Sequence, residues 1–578
     1  MTKLHPIQGK SFGNNVSVIL SDTKVSRHQR LLFFIPLLVI AFGAMTTLYL
    51  STSAGLGFGN DSVAYVGAAR NIMEGNGYAR TSGGGEIKPL THYPPLFSLT
   101  LAVGSALIHY DPIRVARALI IFLWGLSVFL GGWLTWRMSR SMVAGLIFAF
   151  FLATNGRLLF IYAVIMSEPL YIVLTFAAFL ILFRYLNQKN EPQSTQKDTK
   201  EKLLRVPFVF LRDLRGSSFF LTLAGILSGL AYLTRYSGLA LLATMIAVIL
   251  WIEPGWKTKL RSTLIYLVGA IPLMLAWTLR NALQGLSATN RVLSYHPIPA
   301  DKLDYGVRQV WDWMIPGWFG ALTADWPLLS ILRASRDWPG TPYLIVGLVA
   351  AALLVWLAFA AKRLWNSATQ NPSLAVFFTS TLYLFVYLAA IIFSMFFFDA
   401  STPFHDRILA PIYISLLAAF ILLGLRLWRT GKWPLRVLIV ILALSAASVS
   451  VADAGRTVER LQADPLGFAS ARWRNSKVIA AINALPPDTL LYSNSPTAIY
   501  ILTGRPAYIM PTPIDPVDNQ PRGNFDEDLA ELRADLRAGK TALIIFRPGQ
   551  ENPDLLAKLT NGIPLFFKAG DGQIFGTP

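Results

Sequence analysis

Two carboxylates and three arginines stand beside long apolar runs, where a charge is costly unless it is paired or used. The acids are Asp61, in Asn60-Asp61-Ser62, and Glu168, in Ser167-Glu168-Pro169. The arginines are Arg235, in Leu233-Thr234-Arg235-Tyr236, Arg280, and Arg407, in His405-Asp406-Arg407-Ile408. A positioned carboxylate can take a proton from an attacking hydroxyl or ligate a divalent metal. Arginine presents a planar, permanently charged fork that matches phosphate. These types together suit displacement of a phosphate leaving group better than conduction of an ion. Structural readings stand beside this one. Asp61 could cap a short helix, Ser167-Glu168-Pro169 is a complete helix start, and the arginines could snorkel or pair internally. Thr91-His92-Tyr93-Pro94-Pro95 is an extended turn fixed by two prolines. It would hold His92 and Tyr93 in place, or simply stiffen the loop.

The elements that must position these residues are membrane helices. Of 578 residues, 54% are hydrophobic and only 14% charged, against about 25% charged in a soluble chain. Runs such as Leu31–Leu50, Leu264–Leu279, Tyr343–Ala361 and Leu374–Phe398 carry no charge. A bilayer core of about 30 Å needs about 20 such residues, and lipid requires them to be helical. Spans are expected near 31–51, 113–136, 143–163, 169–186, 217–234, 237–252, 262–280, 343–361, 374–397, 408–425 and 435–451. The net charge of +19 does not gather on one soluble face as nucleic-acid binding would require. Lys and Arg cluster instead in alternate loops, around 27–30, 137–140, 187–216, 257–261, 362–363 and 426–436. By the positive-inside rule these loops are cytoplasmic. Residues 1–30 are then a cytoplasmic segment and 31–451 the membrane domain. Loops 52–112 and 284–340, and residues 452–578, face the extracytoplasmic side of a cell inner (plasma) membrane. Within 284–340, Trp311, Trp313, Trp318, Trp326 and Trp338 suit a membrane interface. The polar stretch Asn187–Lys202 reads as a linker.

Residues 452–578 follow a different pattern. Thr489–Tyr492 and Ala542–Phe546 read as buried strands. Phe525–Gly539 reads as an amphipathic helix stopped by Gly539, and Asp571–Gly572 as a hairpin turn. A small α/β domain is expected. In the first outer loop, a helix over Val63–Glu74 should lie along the membrane surface. The chain has no cysteine, which removes disulfide, thiolate and Cys-metal chemistry. No phosphate-binding glycine loop appears, so a soluble nucleotide-sugar donor is not supported. The alternative is a polytopic transporter or channel. It would place ionisable residues mid-span and pair broken helices.

The order and sidedness of several motifs resemble one superfamily. They are Asp61-Ser62-x-x-Tyr65, Asn71-Ile72-x-x-Gly75-x-Gly77, His92-Tyr93-Pro94-Pro95, Ser167-Glu168-Pro169-Leu170, Leu233-Thr234-Arg235-Tyr236 and Asp406-Arg407-Ile408-Leu409-Ala410-Pro411. Ser493-Asn494-Ser495-Pro496 and Tyr500–Pro506 follow in the tail. The chain resembles the GT-C membrane glycosyltransferases, in the branch of protein O-mannosyltransferase-like (family 39-type) and lipid A aminoarabinose transferase-like enzymes. The eleven or so transmembrane helices read from the apolar runs, with a small extracytoplasmic α/β domain, give a GT-C type architecture. The resemblance implies transfer of a hexosyl or pentosyl group from a polyprenyl-phosphate donor to a glycan, lipid or protein acceptor. Asp61 takes the catalytic position, as base or metal ligand, and Glu168 the second acidic one. Tyr65, His92, Tyr93, Arg235 and Arg407 would contact substrate. A divalent ion (Mg or Mn) at Asp61 and Glu168 is the cofactor to test. Protein O-mannosyltransferases carry an Asp-Glu pair where this chain has Asp61-Ser62.

Overall fold

The computed structural model describes residues 27–189, 217–284, 293–314, 338–365, 371–515 and 519–577. Most of Asn187–Lys202, with Trp318 and Trp326, falls outside them. Among the described residues, eight apolar helices are long enough to cross a membrane. They are α1 (Arg27–Ser51), α4 (Pro112–Ser139), α7 (Glu168–Lys189), α10 (Trp256–Leu283), α12 (Thr341–Trp365), α13 (Pro372–Phe397), α14 (Asp406–Thr430) and α15 (Trp433–Ala463). The helix α15 runs past the expected end at residue 451. The expected span 143–163 is broken. Its halves α5 (Met142–Ala153) and α6 (Gly156–Tyr162) meet at 62°. Asn155 makes the break, because its side chain accepts from the Leu158 N–H and starts a new helix. The runs at 217–234 and 237–252 are shorter apolar helices, α8 (Ser217–Thr234) and α9 (Gly238–Ile252).

Lipid supplies no hydrophobic drive between helices, so small residues bring backbones together. Helices α8 and α10 show this. A Cβ on Gly225 would lie 2.0 Å from the Tyr266 carbonyl oxygen, and one on Gly269 would lie 2.2 Å from that of Thr222. Several of the basic loops meet at one end of the bundle. Arg140 donates to Ser373, Arg429 to the Ser139 carbonyl, and Lys189 pairs with Glu253. Lys259 lies over the Trp365 ring. Asp61, Glu168, Arg235 and Arg407 all lie at the opposite end.

That opposite end carries the first loop and the tail. The loop forms α2 (Asn60–Met73), a two-stranded hairpin β1–β2 (Ala79–Thr81, Ile87–Pro89) and α3 (Leu96–Ile108). In the amphipathic helix α11 (Ala300–Met314), Trp311 and Trp313 are buried, whereas Trp338 stays exposed. The tail holds short α16 (Ala471–Arg474), α17 (Lys477–Ala484), β3 (Leu490–Ser493), α18 (Pro496–Thr503), β4 (Tyr508–Ile509) and α19 (Phe525–Arg537). It ends with β5 (Thr541–Phe546), α20 (Pro553–Thr560), β6 (Leu565–Ala569) and β7 (Gly572–Phe575). The strand order is β4-β3-β5-β7-β6, parallel among β4, β3 and β5 and antiparallel beyond. Every residue of β5 is buried, as expected of a strand covered on both faces. Ala542, Ile544 and Phe546 pack with Val478 and Ile482 of α17, while Leu543 and Ile545 pack with Leu529, Leu532 and Leu536 of α19. Gly539 ends the α19 segment at φ 75°.

Two tail motifs are structural. The side chain of Asn494 bonds both the N–H and the carbonyl of Phe546, pinning β3 to β5. Arg505 donates to the carbonyls of Ile482, Leu485, Pro486 and Thr489. The sheet is joined to the first loop at three places. Thr497 donates to Asn60 at 2.6 Å, Phe468 N–H bonds the Phe58 carbonyl, and Tyr508 lies over the Gly83 turn. A Cβ on Gly83 would fall 2.2 Å from the Tyr508 ring. Gly83→Ala should therefore weaken this joint by about 1–3 kcal/mol. Faster hydrogen exchange over 79–89, rescued by adding Tyr508→Ala, is the expected readout.

Candidate active site

The site is built on helix ends. Helix α2 starts at Asn60, and its cap residue is Gly59, whose N–H donates to the Ser62 hydroxyl at 2.9 Å. Asp61 is therefore not the cap. It stands in the first turn, where the helix dipole favours an anion, and its side chain points to other partners. Asp61 Oδ2 is 2.7 Å from Arg407 Nη1, and Asp61 Oδ1 accepts from the Tyr93 hydroxyl at 3.0 Å. Glu168 opens α7 and is 3% exposed. Its Oε1 lies 2.6 Å from Arg235 Nη1 and 3.1 Å from Arg407 Nε. These are charge contacts rather than well-angled hydrogen bonds, and Glu168 Oε2 has no hydrogen-bond partner among the described residues. Arg407, in the first turn of α14, thus bridges the two acids. Its Nη1 also reaches Met166 Sδ at 3.1 Å. Arg235 follows the last turn of α8 and also donates to the Ser167 hydroxyl, which bonds the Tyr65 hydroxyl at 3.0 Å. Asp61, Tyr65, Tyr93, Glu168, Arg235 and Arg407 form one continuous network, drawn from residues 346 positions apart at the extreme. His92 packs edge-on against Tyr93, ring centroids 4.8 Å apart.

The proline turn is held from three sides. Tyr78 donates to the carbonyls of Tyr93 and Pro94, and Tyr236 to that of Thr91. Arg280 donates to the carbonyls of Leu90 and Tyr78 and lies over the Tyr78 and Trp277 rings. Arg280 therefore braces the loop and does not join Arg235 and Arg407, contrary to its grouping with them by sequence position. A second ionic cluster adjoins the first. Arg157, on α6, pairs with Asp406 at 2.9 Å and Asp312 at 3.4 Å, and Trp313 donates to Asp406 at 2.7 Å. The signal for it was present, since Arg157 is a charge inside the apolar stretch 143–163.

Burial pushes the Asp61 carboxyl up, but Arg407, the Tyr93 hydroxyl and more distant Arg235 outweigh it and hold the group below its ordinary 3.8. Asp61 is therefore a carboxylate throughout the neutral range. Its contribution to stability is present above the ordinary value and is lost as pH falls through the lower folded value. The kcat/KM profile, which reports the free enzyme, should show no acid limb from Asp61 above pH 3.8. A kcat/KM limb near 6 that vanishes in Asp61→Asn would contradict this.

No family model matches the sequence, and no curated protein is significantly similar to it. Solved structures do match. The archaeal oligosaccharyltransferase AglB from Archaeoglobus fulgidus, in complex with an inhibitory peptide and a dolichol-phosphate, superposes over 90% of this chain and 70% of its own, with TM-score 0.52 and 12% identity. The chain has the GT-C fold. An Archaeoglobus fulgidus oligosaccharyltransferase in complex with Zn and sulfate aligns at the same TM-score and identity, over 93% of this chain and 73% of that one. ArnT from Cupriavidus metallidurans bound to undecaprenyl phosphate matches over 93% of this chain and 97% of its own, with TM-score 0.48 and 13% identity. The fold expected from the motif order is the fold found.

Proposed function

We propose that this protein is a multi-pass membrane glycosyltransferase that moves a sugar from a polyprenyl-phosphate donor to an acceptor hydroxyl. The observation that carries the reading is the Asp61–Arg407–Glu168–Arg235 network at one end of a GT-C bundle. The acceptor oxygen attacks the anomeric carbon as the bond to the phosphate oxygen breaks. The lipid phosphate leaves with the bonding pair, and the hydroxyl proton passes to Asp61. The sugar carbon acquires oxocarbenium character on the way, as in glycoside hydrolysis. The departing phosphate gains a negative charge, which Arg407 and Arg235 are placed to receive. When the phosphate draws Arg407 toward itself, Asp61 loses its ion pair and becomes available as the base. Glu168 Oε2 would orient a sugar hydroxyl, and Tyr65, His92 and Tyr93 would line the donor. The site faces the extracytoplasmic side of an inner (plasma) membrane in this reading, with the basic loops and the N-terminus in the cytoplasm. The oligosaccharyltransferase structure, which holds a dolichol-phosphate, motivates the donor class.

A divalent ion is the other cation that could serve. The two acids would be its ligands, but Arg407 stands between them. The described residues offer no group of three His, Asp or Glu. The donor set as arranged suits guanidinium better than metal. Turnover is accordingly expected to persist in EDTA. Loss that only Mg or Mn restores would return the metal role to Asp61 and Glu168. The phosphate assignment is tested by adding undecaprenyl phosphate to the protein in nanodiscs. It should raise the thermal midpoint of wild type and leave Arg407→Lys nearly unmoved. Equal shifts would place the phosphate elsewhere.

A further inference from the structure

The α/β unit contains a second cleft that the transfer chemistry does not use. It is a shallow cleft open to solvent, lined by Arg472, Trp473, Ser476, Phe546, Arg547 and Asp571. It lies at the carboxyl end of β5, beside the turn between β6 and β7 and the start of α17.

The lining has the chemistry of a saccharide site with a charge. Trp473 is half-buried and wedged between Phe468 and Phe546, ring centroids 5.3 and 4.9 Å away. That packing makes it a rigid aromatic platform. Asp571 caps this wall by accepting from Ser476 through Oδ2, and its Oδ1 has no partner among the described residues, so it can accept from a sugar hydroxyl. Neither the Arg472 nor the Arg547 guanidinium has an ion pair or hydrogen bond among the described residues. The Arg547 guanidinium lies over the Trp473 ring, its Cζ 5.9 Å from the centroid. Arg547 is also held at φ 49°, ψ 60°, a left-handed conformation uncommon outside glycine and recurrent at ligand sites. Asp571 fixes it there, accepting the Arg547 N–H through its backbone carbonyl at 3.1 Å. Phe468, which packs on Trp473, bonds the Phe58 carbonyl and so joins the cleft wall to the first loop.

We propose that this cleft binds an anionic saccharide, with the ring on Trp473, hydroxyls on Asp571, and a phosphate or carboxylate on Arg472 and Arg547. Its service as the acceptor site rests on the transferase reading, but binding itself does not. The test is calorimetric titration of the full chain in nanodiscs with glucose 1-phosphate and with glucuronate. Glucose and inorganic phosphate are the comparisons. At least one charged sugar should bind saturably and at least tenfold more tightly than either comparison. Arg547→Gly should weaken that binding at least tenfold. This variant keeps the backbone conformation at no steric cost, so an unchanged thermal midpoint would separate lost binding from lost folding. Saturating undecaprenyl phosphate and Asp61→Asn should both leave binding unchanged. No saturable binding of either charged sugar would overturn the proposal. So would equal affinity for inorganic phosphate, an unaffected Arg547→Gly, or displacement by undecaprenyl phosphate, which would assign the signal to the membrane arginines.

Discussion

Arg407→Ala is expected to lower stability and donor affinity together. The substitution removes the one cation that touches both acids among the described residues, while Glu168 remains 3% exposed. Breaking one partner from a buried ion pair costs roughly 3–5 kcal/mol. The loss here should sit at or below the lower end, because Arg407 is 30% exposed and Arg235 remains beside Glu168. The thermal midpoint should fall by several degrees in nanodiscs. Arg407→Lys should restore much of that midpoint but not the affinity for polyprenyl phosphate. A compact ammonium keeps the charge yet cannot span Asp61 and Glu168 as a fork does. The double variant Arg407→Ala/Asp61→Asn should be more stable than Arg407→Ala alone, since Asp61 has no other ion pair among the described residues and its uncompensated charge is gone. An Arg407→Ala protein as stable as wild type would mean that the bridge is ornamental.

Asp61→Asn is expected to reduce turnover by about 10²–10⁴ with the fold intact. The amide matches the carboxylate in shape and can still meet the Tyr93 hydroxyl, but it cannot accept the acceptor's proton. Because Arg407 loses its partner on Asp61, polyprenyl phosphate should bind the variant at least as tightly as wild type. The pairing of slower turnover with undiminished phosphate binding separates a base from a residue that merely holds the site together. A variant that lost both in proportion would assign Asp61 to structure. Tyr93→Phe, which removes the other hydrogen bond to Asp61, should have a smaller effect on turnover than Asp61→Asn.

Much of this arrangement was legible in the chain. Uncharged runs of membrane length marked the long helices, since lipid leaves no other solution for the backbone. The alternating charges of the loops grouped Arg140, Lys189, Lys259 and Arg429 correctly at one end, because that rule acts on each loop separately. Asp61, Glu168, Arg235 and Arg407 were visible as charges that broke the apolar pattern. Their convergence was not visible, since it depends on how α2, α7, α8 and α14 pack. The same limit misplaced Arg280, whose position matched that of Arg235 in one dimension but whose partners are loop carbonyls. The break in the third apolar run was also missed. Asn155-Gly156-Arg157 carried the signal, a helix cap followed by a charge, but summed hydropathy over twenty residues hid it. In the tail, the strands and the amphipathic helix were readable from period alone. The cleft at Trp473 and Arg547 was not, because it is made by strand ends that only the sheet order brings together.

The most direct measurement is release of polyprenyl phosphate from a panel of polyprenyl-phosphate sugars by the purified protein in nanodiscs, with and without candidate acceptors. Release should require an acceptor, transfer the sugar stoichiometrically and survive EDTA. Binding of every donor with no sugar transferred to any acceptor, in a protein whose thermal midpoint responds to undecaprenyl phosphate, would contradict this.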